Sequence, residues 1–347
     1  MVKEGLYGKT LSELKACVVE LGLPAFTSKQ LADWLYKKHV SSIEEMTNLS
    51  KKARLLLDEN FEIGLTPHQS VQESVDGTKK YLFQTAEKQF IEAAYLPEEN
   101  RNTLCVSSQV GCKMGCLFCM TARQGFQKQL TVGEILNQVA SLPERETLTN
   151  LVYMGMGEPM DNIDNVLKSL EIITSEWGYA WSPRRINVST IGVVPAMRRF
   201  IEESEAHLAI SLHSPFNEER KQLMPVENVY SAEKVVEALR DYDFGRQRRI
   251  SFEYIMFKGI NDTTKHVKGL LQLLNNVKCR INLIHFHPIP NSPLLGSDQK
   301  TMEMFRDKLN QSGIVTTIRR SRGEDIYAAC GLLSTKKLVK QDPDKDY

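Results

Sequence analysis

Between residues 10 and 60 the apolar positions recur at helical spacing. Leu11, Leu14, Cys17, Val18 and Leu21 form one stripe that Gly22 and Pro24 end, the pattern of a helix with a single buried face. Thr27 or Ser28 is expected to cap a second helix running through Leu31, Trp34 and Leu35. Ser41 and Ser50 predict caps for two more. From residue 70 to 107 the period shortens to two. Asp76-Gly77 reads as a hairpin turn between strands, one holding Tyr81-Leu-Phe83 and the next running from Phe90 to Tyr95. Pro97 and Asn100 to Asn102 are expected to close a loop before Leu104.

Beyond that point strand and helix patterns alternate. Strands are predicted at 104–107, 150–154, 186–190, 207–212, 250–256, 280–286 and 315–319. Helices are expected to begin near Thr131, Asp161, Val194, Ala232, Asp262 and Asp298. Such alternation implies right-handed crossovers and a parallel sheet or barrel. About six units suit an incomplete α/β barrel with a small N-terminal helical domain and a β-hairpin extension. The expected division is 1–65 helical, 66–103 hairpin, 104–333 barrel and 334–347 a frayed tail. Polar residues follow the strands, where such barrels gather their sites.

Composition narrows the class. The chain has 347 residues, 41% of them hydrophobic, enough for a sizeable core. No run reaches the roughly eighteen apolar residues of a membrane span, and the N-terminus carries no signal-like stretch. Seven cysteines, three of them crowded together, do not read as a secreted disulfide framework. A reducing cytoplasm is expected. Net charge is only +1, which gives no lead toward nucleic acid. Basic pairs are local: Lys51-Lys52, Arg184-Arg185, Arg198-Arg199, Arg246-Gln-Arg-Arg249 and Arg319-Arg-Ser-Arg322.

The chemistry lies in Cys112-Lys-Met-Gly-Cys116-Leu-Phe-Cys119. Thiols at C-x3-C-x2-C spacing can converge on one inorganic centre, and three of them leave one iron of a four-iron cubane open. A closed structural zinc site takes four ligands at wider pair spacing. A zinc-stabilised, non-catalytic RNA-binding protein remains the alternative of another class. Downstream, Tyr153-Met-Gly-Met-Gly-Glu158 is a strand end running into a glycine turn.

These segments resemble the radical S-adenosylmethionine (SAM) superfamily. Leu104-Cys-Val-Ser-Ser-Gln-Val-Gly-Cys112, Gln124-Gly-Phe126, Val188-Ser-Thr190, Ala209-Ile-Ser-Leu-His213 and Arg322-Gly-Glu-Asp325 with Ala328-Ala-Cys-Gly331 resemble, more narrowly, the RlmN/Cfr family of RNA adenine methyltransferases. The resemblance spans residues 10 to 333. It implies a [4Fe-4S] cluster on Cys112, Cys116 and Cys119, and SAM held by Gly157, Glu158, Ser189, Ser211, Leu212, His213 and His287. It implies methylation of adenine C2 in 23S rRNA and in tRNA. A Cfr-like C8 methylation of 23S rRNA is the alternative. Two SAM molecules serve each turnover: the first methylates Cys330, and the second yields the radical that activates that methyl group. Cys105 then resolves the protein–RNA crosslink, leaving a Cys105–Cys330 disulfide. The ring proton goes to Glu92 or to Cys105. An electron donor such as flavodoxin or ferredoxin is implied, no membrane, and a monomeric enzyme. Arg184-Arg185 and Arg319-Arg320 are expected to touch RNA phosphates near the barrel mouth. Two positions depart from the family pattern: His287 replaces a common asparagine, and Ser189-Thr-Ile-Gly192 replaces Ser-Thr-Ser-Gly.

Overall fold

A computed structural model describes residues 3–245 and 248–335. Most of the expected tail, together with Arg246 and Gln247, lies outside the described residues. The N-terminal part holds β1 (Glu4–Gly5), α1 (Leu11–Glu20), α2 (Thr27–Tyr36), α3 (Lys51–Asn60) and β2 (Phe61–Glu62). Thr10 and Glu13 close α1 with a capping box, satisfying amides that a helix start leaves unpaired. The α2 cap differs from expectation. Phe26 occupies the cap position without a side-chain bond, and Ser28 Oγ donates instead to Ala25 O at 2.7 Å. Ser42, not Ser41, caps the short turn Ile43–Glu45. Ser50 caps α3 as expected. The pairing of β1 with β2 was not legible, because two-residue strands carry no period. Leu14, Val18, Leu31 and Leu35 join the same hydrophobic core as the barrel.

Four strands follow: β3 (Ser70–Glu73), β4 (Lys79–Gln84), β5 (Phe90–Glu98) and β6 (Arg101–Cys105). The Asp76-Gly77 turn forms, with Gly77 at φ +81°. Pro97 does not sit in a loop. It pairs with Asn102 inside the β5–β6 hairpin, near the strand end where a proline is tolerated.

The barrel begins with β6. After it come the short pair β7 (Gln109–Val110) and β8 (Lys128–Gln129), with α4 (Met120–Gln124) between them. Then α5 (Val132–Ala140), β9 (Asn150–Tyr153), α6 (Ile163–Thr174), β10 (Ile186–Thr190), α7 (Val194–Glu203) and β11 (His207–Ser211) alternate. The chain continues through α8 (Asn217–Leu223), α9 (Ala232–Arg240), β12 (Ile250–Met256), α10 (Thr264–Leu273), β13 (Arg280–His285), α11 (Gln299–Gln311) and β14 (Val315–Ile318). One ten-stranded sheet runs β14-β13-β12-β11-β10-β9-β6-β5-β4-β3. From β6 to β14 every neighbouring pair is parallel, so six crossovers build the α/β barrel. All seven β/α strand predictions coincide with observed strands within a few residues. The short helices α4 and α8 were not foreseen.

The sheet does not close: β14 and β3 are its two edges. The segment 319–335 spans the gap instead. Arg322 donates to Asp76 O at 2.8 Å and Pro97 O at 2.7 Å and forms an ion pair with Asp76 at 3.0 Å. Asp325 accepts from Val75 N at 3.2 Å. Farther on, Met120 N donates to Gly331 O at 2.7 Å and Thr121 Oγ1 to Leu333 O at 2.7 Å. Ser334 N donates to Glu92 at 2.9 Å. This strap ties the hairpin extension to α4.

Asp76 anchors the strap. Burial pushes its carboxyl up, but hydrogen bonds from Thr78 and from Gly323 N outweigh that and hold it down at about 2. A depressed carboxyl contributes stability above its unfolded value, near 3.9, and loses it as pH falls toward 2. Asp76→Asn should cost about 1 kcal/mol, the side chain being partly exposed. It should also speed hydrogen exchange at Ala328 N, which donates to Gly323 O. Unchanged protection across 320–335, in the variant or in wild type at pH 2.5, would show that Asp76 does not hold the strap.

Candidate active site

A cavity of about 150 Å³ opens at the C-terminal ends of the parallel strands. It brings together most of the residues expected from sequence: Cys112, Cys116, Cys119, Gly157, Glu158, Ser189, Ser211, His213 and Cys330. Leu212 is not on its wall. That side chain belongs to the core, and its carbonyl accepts from Arg220 Nε at 3.1 Å. His287 does not line the cavity either. It sits under the strap, with Nε2 3.2 Å from Ser321 Oγ and Nδ1 3.7 Å from Glu324.

The cysteine loop follows β6. Gly111 starts it at φ +70°, where a Cβ would stand 1.7 Å from Gly125 O; no other residue fits there. Burial pushes the Cys112 thiol up to about 12 and the Cys116 thiol well above its usual value, with Cys119 adding like charge to both. Buried thiols of this kind stay protonated until a cation takes them as thiolates. Among the described residues, no three His, Cys, Asp or Glu side chains gather around one point as a ready ion site. A cubane takes one thiolate per iron, so its ligands stand farther apart than those around a single zinc. Three thiols on one cavity wall fit that demand.

Glu158 is locked in place. Its carboxylate accepts from Thr190 Oγ1 at 2.6 Å, Ile191 N at 3.1 Å and Met160 N at 3.1 Å. Burial raises its carboxyl to about 7 against those bonds. A Cβ at Gly157 would meet Gln109 at 2.5 Å, so only glycine lets this turn close. Ile191 fills the position where the family pattern has serine. Its side chain lines the cavity while its amide serves Glu158.

His213 stands in the left-handed region at φ +58°, a strained conformation for a residue of this type. Asn261 holds it there, donating to His213 O at 2.6 Å and Ile255 O at 2.7 Å. Nδ1 of His213 accepts from Ile255 N at 2.9 Å, which leaves the proton on Nε2. Burial lowers its pKa to about 3, so the ring is neutral.

Sequence reasoning misplaced two cations, the buried Arg220 and the half-buried Arg319. Arg220 is fully buried and ion-paired with Glu227. It donates to Ile191 O at 2.9 Å, Ser211 O at 3.3 Å and Leu212 O, fixing the ends of β10 and β11. Nothing in its charged surroundings in the sequence signals burial. Arg319 was expected on an RNA-facing surface. It lines the cavity beside Cys330 instead, with Nη1 3.3 Å from Glu253 and 3.6 Å from Met154 Sδ. Glu253 holds its charge on most strongly, with smaller contributions from Cys330 and Cys105. Arg184 and Arg185 were expected at the mouth as well. They precede β10, which puts them at the opposite end of the barrel.

Cys105 and Cys330 come from different elements and act on one another. Cys105 is buried on β6, packed with Ala94, Val152 and Ala328. The strap carries Cys330, exposed, past that group. Burial lifts the Cys105 thiol to about 12, with the Cys330 charge as the next cause. Glu92 shares a face of β5 with Ala94, opposite Cys105. It forms an ion pair with Lys80 at 3.0 Å and does not line the cavity, and burial raises its carboxyl.

Comparison with known proteins bears on this arrangement. Residues 106–274 match the radical SAM superfamily and residues 5–63 the ribosomal RNA large subunit methyltransferase N-terminal domain. The probable dual-specificity RNA methyltransferase RlmN of Parabacteroides distasonis is 57% identical over 337 residues, 97% of this chain and 98% of that protein. The chain belongs to the RlmN family of radical SAM RNA methyltransferases. RlmN of Desulfotalea psychrophila is 43% identical over 93% of this chain and 92% of its own. The crystal structure of a radical SAM methyltransferase from Sphaerobacter thermophilus superposes with a TM-score of 0.88, at 37% identity, over 95% of this chain and 99% of that one. The protein is therefore a SAM-dependent RNA methyltransferase. RlmN membership implies a [4Fe-4S] cluster and SAM, and it sets aside the non-catalytic zinc reading.

Two outcomes follow from the site. Anaerobic reconstitution should give brown protein with about four irons per chain, and Cys116→Ser should lose most of them. Stoichiometric zinc without iron would contradict the thiol assignment. Arg220→Met should destabilise the fold by about 3–5 kcal/mol, because Glu227 is left buried and uncompensated. Arg220→Met with Glu227→Met should recover much of that in denaturant titration. Equal losses in both would mean that the buried pair is not the cause.

Proposed function

We infer that this enzyme methylates C2 of adenine in 23S rRNA and in tRNA through a methyl group carried on Cys330. The observation that carries the reading is an exposed, strap-borne cysteine lining the same cavity as the three-cysteine loop, with the buried Cys105 packed against the strap's Ala328. C2 is an electron-poor aromatic carbon and does not attack the methyl of SAM, so the carbon must be delivered by another route. The cluster, when bound, supplies the electron that cleaves SAM. Cys330 takes the methyl group and presents it to the base. Cys105 then attacks to release the protein–RNA crosslink, which leaves a Cys105–Cys330 disulfide for a thiol reductant to reopen. Arg319 steadies the thiolates that these steps need.

Glu158 is assigned to the ammonium of SAM, with Ser189, Ser211 and His213 around the nucleoside and Leu212 contributing backbone. His287, under the strap, is assigned to the outer edge of that site. Two SAM molecules serve each turnover. The ring proton goes to Glu92, whose buried carboxyl is raised, or to Cys105. A target base in folded RNA must leave its stack to enter so narrow a cavity. The N-terminal helices are read as the RNA-docking part, which the match of residues 5–63 supports. Relatives named RlmN support C2 over C8. We place the monomeric enzyme in the cytoplasm, beside its RNA and a flavodoxin- or ferredoxin-like donor.

Cys330→Ala should keep cluster and SAM but transfer nothing to RNA. Cys105→Ala should stall as a covalent protein–RNA adduct through Cys330. Denaturing gels should show that adduct in the Cys105 variant alone. Turnover by Cys105→Ala at the wild-type rate, with no adduct, would rule out the two-thiol route.

A further inference from the structure

The floor of the barrel, away from the cavity, gathers one sign of charge. Arg101 opens β6, Arg184 and Arg185 precede β10, Arg248 and Arg249 precede β12, and Arg280 opens β13. All of these strands are parallel, so all six residues lie at the same end. Strands stand about 4.8 Å apart. From β10 to β13 the arginines therefore span about 14 Å along the sheet, and Arg101 lies two strands beyond β10. Arg101 feels Arg319, on the cavity side, and after it Arg249 on the floor. His207, the first residue of β11, sits among them. Its Nε2 is 3.4 Å from Arg249 Nη2. Burial lowers its pKa to about 4, and Arg249, Arg248, Arg184 and Arg280 add to that in this order.

Among the described residues these six cations form no ion pairs, whereas Arg198, Arg199, Arg220, Arg319 and Arg322 all do. Arg248 is spent on the end of α7, donating to Ile201 O at 2.8 Å and Ala206 O at 2.9 Å. The other five are exposed. Glu98 acts on Arg101 and Glu205 on Arg248. Like charges crowded without counter-charges work against folding and draw polyanions.

We propose that this arginine ring is a second RNA-binding surface, which grips the phosphate backbone of the folded substrate on the side opposite the catalytic mouth. Arginine suits this task, since its planar fork meets phosphate oxygens in pairs. Contacts of this kind read no sequence. They fit an enzyme that must hold two unlike RNAs while a separate mouth selects the base. The proposal rests on RNA being the substrate, which the family shows and which methylation of the same RNA by the wild-type enzyme checks independently.

The test compares anaerobic holoenzyme with the quadruple variant Arg184→Glu, Arg185→Glu, Arg249→Glu, Arg280→Glu. Binding to a 23S rRNA fragment and to a tRNA is titrated across KCl concentrations, with inorganic polyphosphate as a second probe. Each lost phosphate contact should flatten the slope of log K against log [KCl] by about 0.7–0.9. The variant should bind RNA at least about tenfold more weakly and lose about 3 in slope. Its melting temperature should hold or rise, because repulsion is relieved. Paired variants at Arg184/Arg185 and at Arg249/Arg280, changed to Gln, should each give about half the effect and serve if the quadruple does not fold. Unchanged RNA affinity and slope would overturn the proposal. So would a loss confined to polyphosphate, which would mark an adventitious anion site only. If the wild-type enzyme neither binds nor methylates these RNAs, the substrate reading fails instead.

Discussion

The working geometry depends on a strap of backbone hydrogen bonds across an open sheet. Seven parallel strands leave β14 and the hairpin extension as free edges, and an open barrel cannot bring its first and last strands together. The segment after β14 does so in their place. The Arg322–Asp76 ion pair holds one end to the hairpin, and Gly331 O, bonded to Met120 N, holds the other to the helix that follows the cysteine loop. Cys330 lies between these anchors. It is thereby fixed relative to Cys105 on β6 and to the three thiols that line the cavity, while its own side chain stays exposed.

Burial sets the electrostatics of the site. The Cys112 and Cys116 thiols are pushed toward their neutral forms, and Glu158 is raised to about 7. The site as folded favours positive charge beside these groups, in keeping with the proposed metal centre at the thiols and SAM ammonium at the carboxylate. The cations already inside, Arg220 and Arg319, are both neutralised by glutamates. Arg220 serves strand ends, Arg319 the thiol pair. At the far end of the same barrel five exposed arginines form no ion pair among the described residues.

Much of this was legible in the sequence, for physical reasons. Period-two and helical stripes placed the strands because burial on one face leaves that signature. The cysteine spacing and the Gly157-Glu158 turn were readable because close approach and ligand convergence demand particular residues at short range. What could not be read depends on long-range geometry. Leu212 falls in the core because the strand's alternation turns it there. His287 falls under the strap, whose path no local pattern records. Arg220 looks like a surface residue in its Glu-Glu-Arg-Lys context, yet it is buried among four carbonyls and Glu227. Arg184-Arg185 looked like a mouth contact until strand direction put it on the floor.

The central claim is that the strap brings Cys330 and Cys105 together as a working pair. Peptide mapping after a single turnover, without added thiol reductant and with free thiols alkylated beforehand in a control, tests it most directly. The account predicts one Cys105–Cys330 disulfide for each methyl group transferred to RNA. Methylated RNA with both cysteines still alkylatable would contradict it.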